Sequence, residues 1–97
     1  MIQSFAGQAT EDVFDGTRSK AARKACPTTV WNTAIRKLDQ LNQAETLDDL
    51  HSPPGNRLEP LKGDRAGQHS IRINDQYRVC FVWTTKGPEQ VEITDYH

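Results

Sequence analysis

The residues with chemical potential gather in one stretch. Arg57, Lys62, Arg65, Arg72 and Arg78 all fall within RLEPLKGDRAGQHSIRINDQYR (57–78), and the sequence ends on Asp95-Tyr96-His97. A guanidinium grips two phosphate oxygens at once, and an ammonium acts on phosphate as a point charge. His97 titrates near neutrality, Asp95 accepts a proton or orients an imidazole, and Tyr96 stacks on a base or donates a hydrogen bond. Glu59 adds a further carboxylate. Cleavage of RNA by its own 2′-hydroxyl needs a base for the 2′ proton, donors for the charge building on the phosphorane, and an acid for the departing 5′ oxygen. The reaction requires no metal in principle, and these residue types cover all three roles.

Each of these residues also has an ordinary use. Arg72 and Arg78 on strands can pair with Glu92 or Asp95 across a sheet. Lys62 suits a solvated turn, Asp64 and Arg65 suit the fixing of that turn, and a terminal His97 suits a frayed end. His51 precedes a Ser-Pro-Pro turn and reads as loop, and His69 reads as structural or exposed. Constellations of three such residues arise readily by chance. Residue types alone therefore establish a basic-edged α+β domain.

The 97 residues fit one domain. Twelve Lys and Arg stand against 13 Asp and Glu, a net charge of −1, so the overall charge does not announce a nucleic-acid binder. The distribution is uneven. Residues 16–38 hold Arg18, Lys20, Arg23, Lys24, Arg36 and Lys37 with no acid, and residues 39–50 hold Asp39, Glu45, Asp48 and Asp49 with no cation. Lys20, Arg23, Lys24, Arg36 and Lys37 are candidates for RNA contact, against the alternative of a solvated helical face. Cys26 and Cys80 do not form a disulfide framework, and with three dispersed histidines they lack the spacing of a zinc site. The opening MIQSFAGQ has neither a basic start nor a long apolar run, and no window approaches the ~20 apolar residues of a membrane span. The expectation is a cytoplasmic chain with reduced thiols, no cofactor and no metal.

The elements that must position these residues follow from periodicity. Met1–Phe5 reads as a short strand. Thr10 reads as the N-cap of a short helix that stops at Gly16. Residues 17–26 read as a polar, basic segment ended by Pro27. Thr28 or Thr29 caps the main helix, whose stripe of Trp31, Ala34, Ile35, Leu38 and Leu41 packs on a sheet. Thr46 caps a further turn, which His51-Ser52-Pro53-Pro54-Gly55 stops. From Arg57 the period becomes two: RLEPL as an edge strand, a turn at 62–67, HSIRI, a hairpin turn at Asn74-Asp75-Gln76, YRVCFVW, and a last strand QVEITDYH. The order predicts an α+β fold with helices on one face of a small, mostly antiparallel sheet.

The run SPPGNRLEPLKGDRAGQHSIRINDQYRVCF and the ending VEITDYH resemble the HigB-type toxins of the RelE/ParE superfamily. The likeness is close over Arg57–His97, includes the opening Met-Ile-x-Ser-Phe, and is weakest over residues 15–30. It implies one RelE-like domain over residues 1–97, with two N-terminal helices packed on the sheet. It also implies a type II toxin that enters the A site of the 70S ribosome and cleaves mRNA without metal. Its expected partner is a HigA-type helix-turn-helix antitoxin. By position, Lys62 and Arg78 correspond to phosphate-holding cations, and Asp95, Tyr96 and His97 to the C-terminal catalytic and mRNA-positioning group. Gln76 stands where some relatives have a substrate-contacting Asn. Glu59 is a departure, since some relatives carry a functional His there. Arg72 joins Gln76 as a candidate RNA contact. The same scaffold also hosts non-enzymatic gyrase poisons of the ParE type, and a degenerate toxin kept as an antitoxin-binding module is a third reading.

Overall fold

The apolar stripe of residues 31–41 sets the helical layer. In the computed structural model, which describes residues 1–95, helix α3 (Trp31–Gln43) buries Trp31, Ala34, Leu38 and Leu41 and half-buries Ile35. Its asparagines, arginine, lysine and aspartate lie off that stripe, so one face meets the sheet and the other meets water. No threonine side chain caps α3. A 3-10 turn at Thr28–Val30 leads into it, and the Trp31 indole N–H donates to the Cys26 carbonyl at 3.0 Å, anchoring its first turn.

Two short helices precede it. Helix α1 (Gln8–Asp15) starts after Gly7 with no side-chain cap and ends at Gly16, whose φ of 76° is the left-handed C-cap expected of a glycine. Thr10 is not the N-cap; it lies inside the helix, buried, where its Oγ1 accepts from the Ile93 N–H at 2.9 Å and ties α1 to the last strand. Helix α2 (Lys20–Ala25) occupies the segment that reads as merely basic. Ser19 caps it by accepting from the Ala22 N–H at 3.0 Å, and the same hydroxyl donates to Asp12 at 2.6 Å. Among the described residues α1 and α3 are the two helices that pack on the sheet, as expected, and the short α2 packs on α1 beside them.

Four strands form an antiparallel meander in the order β1-β2-β3-β4: β1 (Glu59–Pro60), β2 (His69–Arg72), β3 (Tyr77–Thr84) and β4 (Gly87–Asp95). Pro60 cannot donate to a ladder, which suits β1 to the edge and keeps it short. At the other edge the N-terminal residues run parallel to β4. Gln3 N–H donates to Pro88 O at 2.8 Å, Ala6 N–H to Val91 O at 3.0 Å, and Val91 N–H to Ser4 O at 3.1 Å. Gly87 is required in this corner: its φ is 128° and a Cβ there would collide with the Met1 carbonyl. β3 and β4 slip register between Cys80 and Val82, and Gln90 takes a φ of 53°.

One sheet face presents Ile71, Ile73, Tyr77, Val79, Phe81, Val91 and Ile93 to Val13, Ala22 and the stripe of α3, forming the core. No helix among the described residues is long and apolar enough to cross a membrane.

Candidate functional site

The outer face of the sheet carries the polar residues. Direct cross-strand partners share a face, so Glu59, Ser70, Cys80 and Glu92 form one row across all four strands. Arg72, Arg78 and Thr94 form the adjacent row. Ser70 and Cys80 are fully buried in this face, and the charged groups lie over them.

Arg78 is the centre of the arrangement. It is only 8 % exposed. Its Nε donates to Ser70 Oγ at 2.7 Å, and one terminal nitrogen donates to the Arg57 carbonyl at 2.6 Å. The same nitrogen lies 3.3 Å from the Glu59 carboxylate. A guanidinium held by a hydroxyl, a carbonyl and a carboxylate is fixed in direction and keeps its charge.

The acceptor carbonyl is itself held in place. Arg57 sits in the left-handed region, φ 46° and ψ 55°, which a non-glycine residue adopts only when its surroundings impose it. The preceding Asn56 supplies that constraint. Fully buried, it donates to the carbonyls of Leu50 (3.2 Å) and Ser52 (3.4 Å) and to Gln40 Oε1 (3.2 Å), and accepts from Lys37 Nζ at 2.6 Å. A chain of contacts therefore runs from α3 through Asn56 to the Arg57 carbonyl and on to Arg78. Burial, with Arg36 and Arg72 nearby, pushes the Lys37 ammonium below its usual range.

Arg72 lies directly opposite Arg78, a like-charge pair that would be unfavourable alone. Each arginine has its own carboxylate, Asp75 for Arg72 and Glu59 for Arg78. A third pair completes the face. Arg65 reaches from the 3-10 turn at Gly63–Arg65 past β3 to Glu92 on β4 at 3.0 Å, with Gln68 Oε1 accepting from its other terminal nitrogen at 3.1 Å. Arg65 thus does more than fix its own turn, and Glu92 partners Arg65 instead of Arg72 or Arg78.

The sequence-derived candidates separate into groups. Glu59, Arg72 and Arg78 share the outer face, and Lys62 stands exposed at the start of the turn that follows β1. Asp95 pairs with Tyr77, so the pleat puts it on the helical side, where its carboxylate accepts from Gln76 Nε2 at 3.2 Å. Burial, then the charge of Asp95, push the Tyr77 phenol above its usual range. Tyr96 and His97 lie outside the described residues. Lys20, Arg23 and Lys24 are exposed on α2, and Arg36 is exposed on α3, whereas Lys37 is committed to Asn56. His69 stacks on Phe81 with ring centroids 6.3 Å apart, and His51 is exposed. Cys80 is a small buried residue as expected, but on the outer face beneath the arginines. Burial pushes the Cys26 thiol up to about 11, which leaves it inert as a nucleophile.

Sequence reasoning missed Asn56, Ser70 and the Arg65–Glu92 pair. The alternation of HSIRI does place Ser70 on the face of Arg72, and that was the available signal. Asn56 gives none, because its role lies in contacts with α3, far away in sequence.

Comparison with known proteins identifies the family and the fold. Residues 4–97 match the family model described as the RelE-like toxin of the type II toxin–antitoxin system HigB. The chain is 47% identical over 57 residues to the toxin HigB-1 of Vibrio cholerae, and 40% identical over 55 residues to an uncharacterized protein of Haemophilus influenzae. These matches cover 59% and 57% of this chain, and 60% and 54% of the two relatives. The solved YoeB–YefM complex from Staphylococcus aureus has the same fold, with a TM-score of 0.57 at 19% identity, over 100% of this chain and 95% of that one. With nearly its whole length matched by the family model and the same α+β architecture, the chain belongs to the HigB-like family of RelE-like toxins.

Proposed function

We propose that this protein is the toxin of a type II toxin–antitoxin pair and acts as a ribosome-dependent mRNA endonuclease, cleaving mRNA in the A site by attack of a 2′-hydroxyl on the adjacent phosphate. In that reaction the 2′ O–P bond forms, the P–O5′ bond breaks, a base takes the 2′ proton and an acid protonates the departing 5′ oxygen. The observation that carries the reading is the fixed guanidinium of Arg78 on the outer face, directed by Ser70 and the Arg57 carbonyl. A preorganised cation spends little reorganisation energy when charge builds on the phosphorane.

In this scheme Arg78 holds the phosphate, displacing Glu59 from its side, and Lys62 adds a second positive charge from the neighbouring turn. Glu59, once released, becomes a carboxylate beside the reacting phosphate. Asp95 orients Gln76 at the hairpin turn, where the amide meets the mRNA, and Tyr96 and His97 supply stacking and proton transfer. The exposed cations Lys20, Arg23, Lys24 and Arg36 meet ribosomal RNA. A net charge of −1 gives little non-specific affinity for free RNA, so the ribosome must do the positioning, a contribution worth up to roughly 7–11 kcal/mol. The partner that restrains the toxin is a HigA-type antitoxin, and the working compartment is the cytoplasm, where ribosomes translate.

The test is cleavage of mRNA on programmed 70S ribosomes, with naked mRNA as control, for wild type, Arg78→Ala and a chain lacking Asp95-Tyr96-His97. Cleavage only on ribosomes, lost in both variants, supports the reading. Absence of cleavage by folded wild type overturns it in favour of a gyrase poison or an antitoxin-binding module, which DNA damage on induction separates.

A further inference from the structure

Two arginine–carboxylate pairs flank one row of the outer face. Arg78 with Glu59 lies at the β1 end and Arg65 with Glu92 at the β4 end, with the buried Ser70 and Cys80 as the floor between them. Strand spacing of about 4.8 Å makes the whole row roughly 14 Å wide. The Glu59 side chain is exposed, 51 % accessible, and that of Glu92 is partly so, 38 % accessible.

Arg65 crosses β3 to reach its partner instead of extending from its turn into solvent. Gln68 accepts from one terminal nitrogen of its guanidinium and Glu92 from the other. The pair is not buried, so as a stabilising ion pair it is worth little. It does keep a planar, permanently charged fork lying over the face that carries Arg78.

We infer that Arg65 is a second phosphate-holding residue, one that takes a neighbouring phosphodiester of the same RNA strand, and that Glu92 is the carboxylate this phosphate displaces. The inference rests on the outer face being the RNA face, as proposed above. The exchange is one of ionic partners only: Arg65 leaves a carboxylate for a phosphate, and no covalent bond changes. Glu92 thereby acts as a brake on free RNA, because any strand must first compete it away. Glu59 has the same relation to Arg78, so the two ends of the row share one device.

A structural clasp and a phosphate site give opposite results when Glu92 is neutralised. A clasp is broken by removing either partner, so Glu92→Gln and Arg65→Gln would act alike. A phosphate site is freed by Glu92→Gln and lost with Arg65→Gln. The probe is a short single-stranded 2′-deoxy oligonucleotide, which has no attacking hydroxyl, so that binding is read without cleavage. Affinity is measured against salt for wild type, Arg65→Gln, Glu92→Gln and the double variant, with urea melts confirming that each is folded.

The expected result is tighter binding by Glu92→Gln, roughly three- to tenfold, and a gain that disappears in the double variant. Arg65→Gln binds more weakly, and its slope of log affinity on log salt falls by about 0.7, the value for one phosphate on a single strand. Equal weakening in both single variants overturns the inference, as does a Glu92→Gln gain that survives loss of Arg65. So does an absence of binding by all four proteins. In each of these cases ribosomal cleavage by wild type still stands as the separate measure of the proposed function.

Discussion

Asn56→Ala strikes the support of Arg78 without touching the outer face. The side chain is fully buried and makes four hydrogen bonds, one of them from the Lys37 ammonium at 2.6 Å. Alanine leaves the Leu50 and Ser52 carbonyls without this donor and strands Lys37 beside Arg36 and Arg72, whose charges already disfavour it. A neutral hydrogen bond contributes about 1 kcal/mol and one to a charged group about 1.5–3 kcal/mol, with part recovered by water, so the expected loss is about 2–4 kcal/mol. In a chain this short that lowers Tm by roughly 10–25 °C. Urea unfolding reads it as a fall in midpoint at unchanged slope. Freed of its strap, Arg57 relaxes from the left-handed region, and the carbonyl that holds Arg78 at 2.6 Å moves away. Ribosomal cleavage at a temperature where the variant is still folded therefore falls as well, with a reduced kcat. A stability change within about 0.5 kcal/mol of wild type, the range of an ordinary surface substitution, would refute the assignment of Asn56 as the strap.

Other outcomes follow from the same geometry. Ser70→Ala removes the acceptor for the Arg78 Nε inside a buried contact and costs about 1.5–3 kcal/mol by urea melt, with cleavage reduced and partly restored by Ser70→Thr. A pH effect comes from Cys26, whose folded pKa of about 11 lies above the usual value of 9.0. The folded state then holds the proton more tightly than the unfolded chain does. Stability from this group is complete below pH 9 and fades as pH rises towards 11, by at most about 3 kcal/mol. Cys26→Ala, melted across the same range, loses less stability than wild type; equal losses would show that another group governs the alkaline limb.

How much of this was legible in sequence depended on whether the governing contacts were local. The α3 stripe, the Gly16 stop, the Thr46 cap and the four-strand meander each rest on short-range patterns, and each is present in the structure. Helix α2 was missed because five of its six residues, Lys20, Ala21, Arg23, Lys24 and Ala25, are exposed or only half-buried, and Ala22 alone among them is fully covered, so no apolar stripe shows. Thr10 has the composition of a cap, yet the distant Ile93 amide claims its hydroxyl. Alternation correctly put Arg72 with Ser70, but the carboxylate that partners Arg65 was illegible. It depends on how the turn at 62–67 folds back over β3, which no local pattern encodes.

That choice of partners also explains how a face with three arginines coexists with a net charge of −1. Arg65, Arg72 and Arg78 are matched by Glu92, Asp75 and Glu59, each from a different element. Uncompensated, Arg72 and Arg78 would face each other across adjacent strands and repel, and the hairpin between them would be weakened. Compensated by exposed carboxylates, they stay folded onto the sheet at small cost, since exposed pairs contribute little either way. The carboxylates therefore allow the cations to be stored next to one another and, at the same time, screen them from passing polyanions. A phosphodiester offers a guanidinium two non-bridging oxygens, as a carboxylate does, and one delivered in a fixed orientation arrives without the entropy loss of a free strand. On the proposed reading of this face as the RNA face, it discriminates between RNA that is held and RNA that is not, and the local carboxylates set that threshold together with the low net charge.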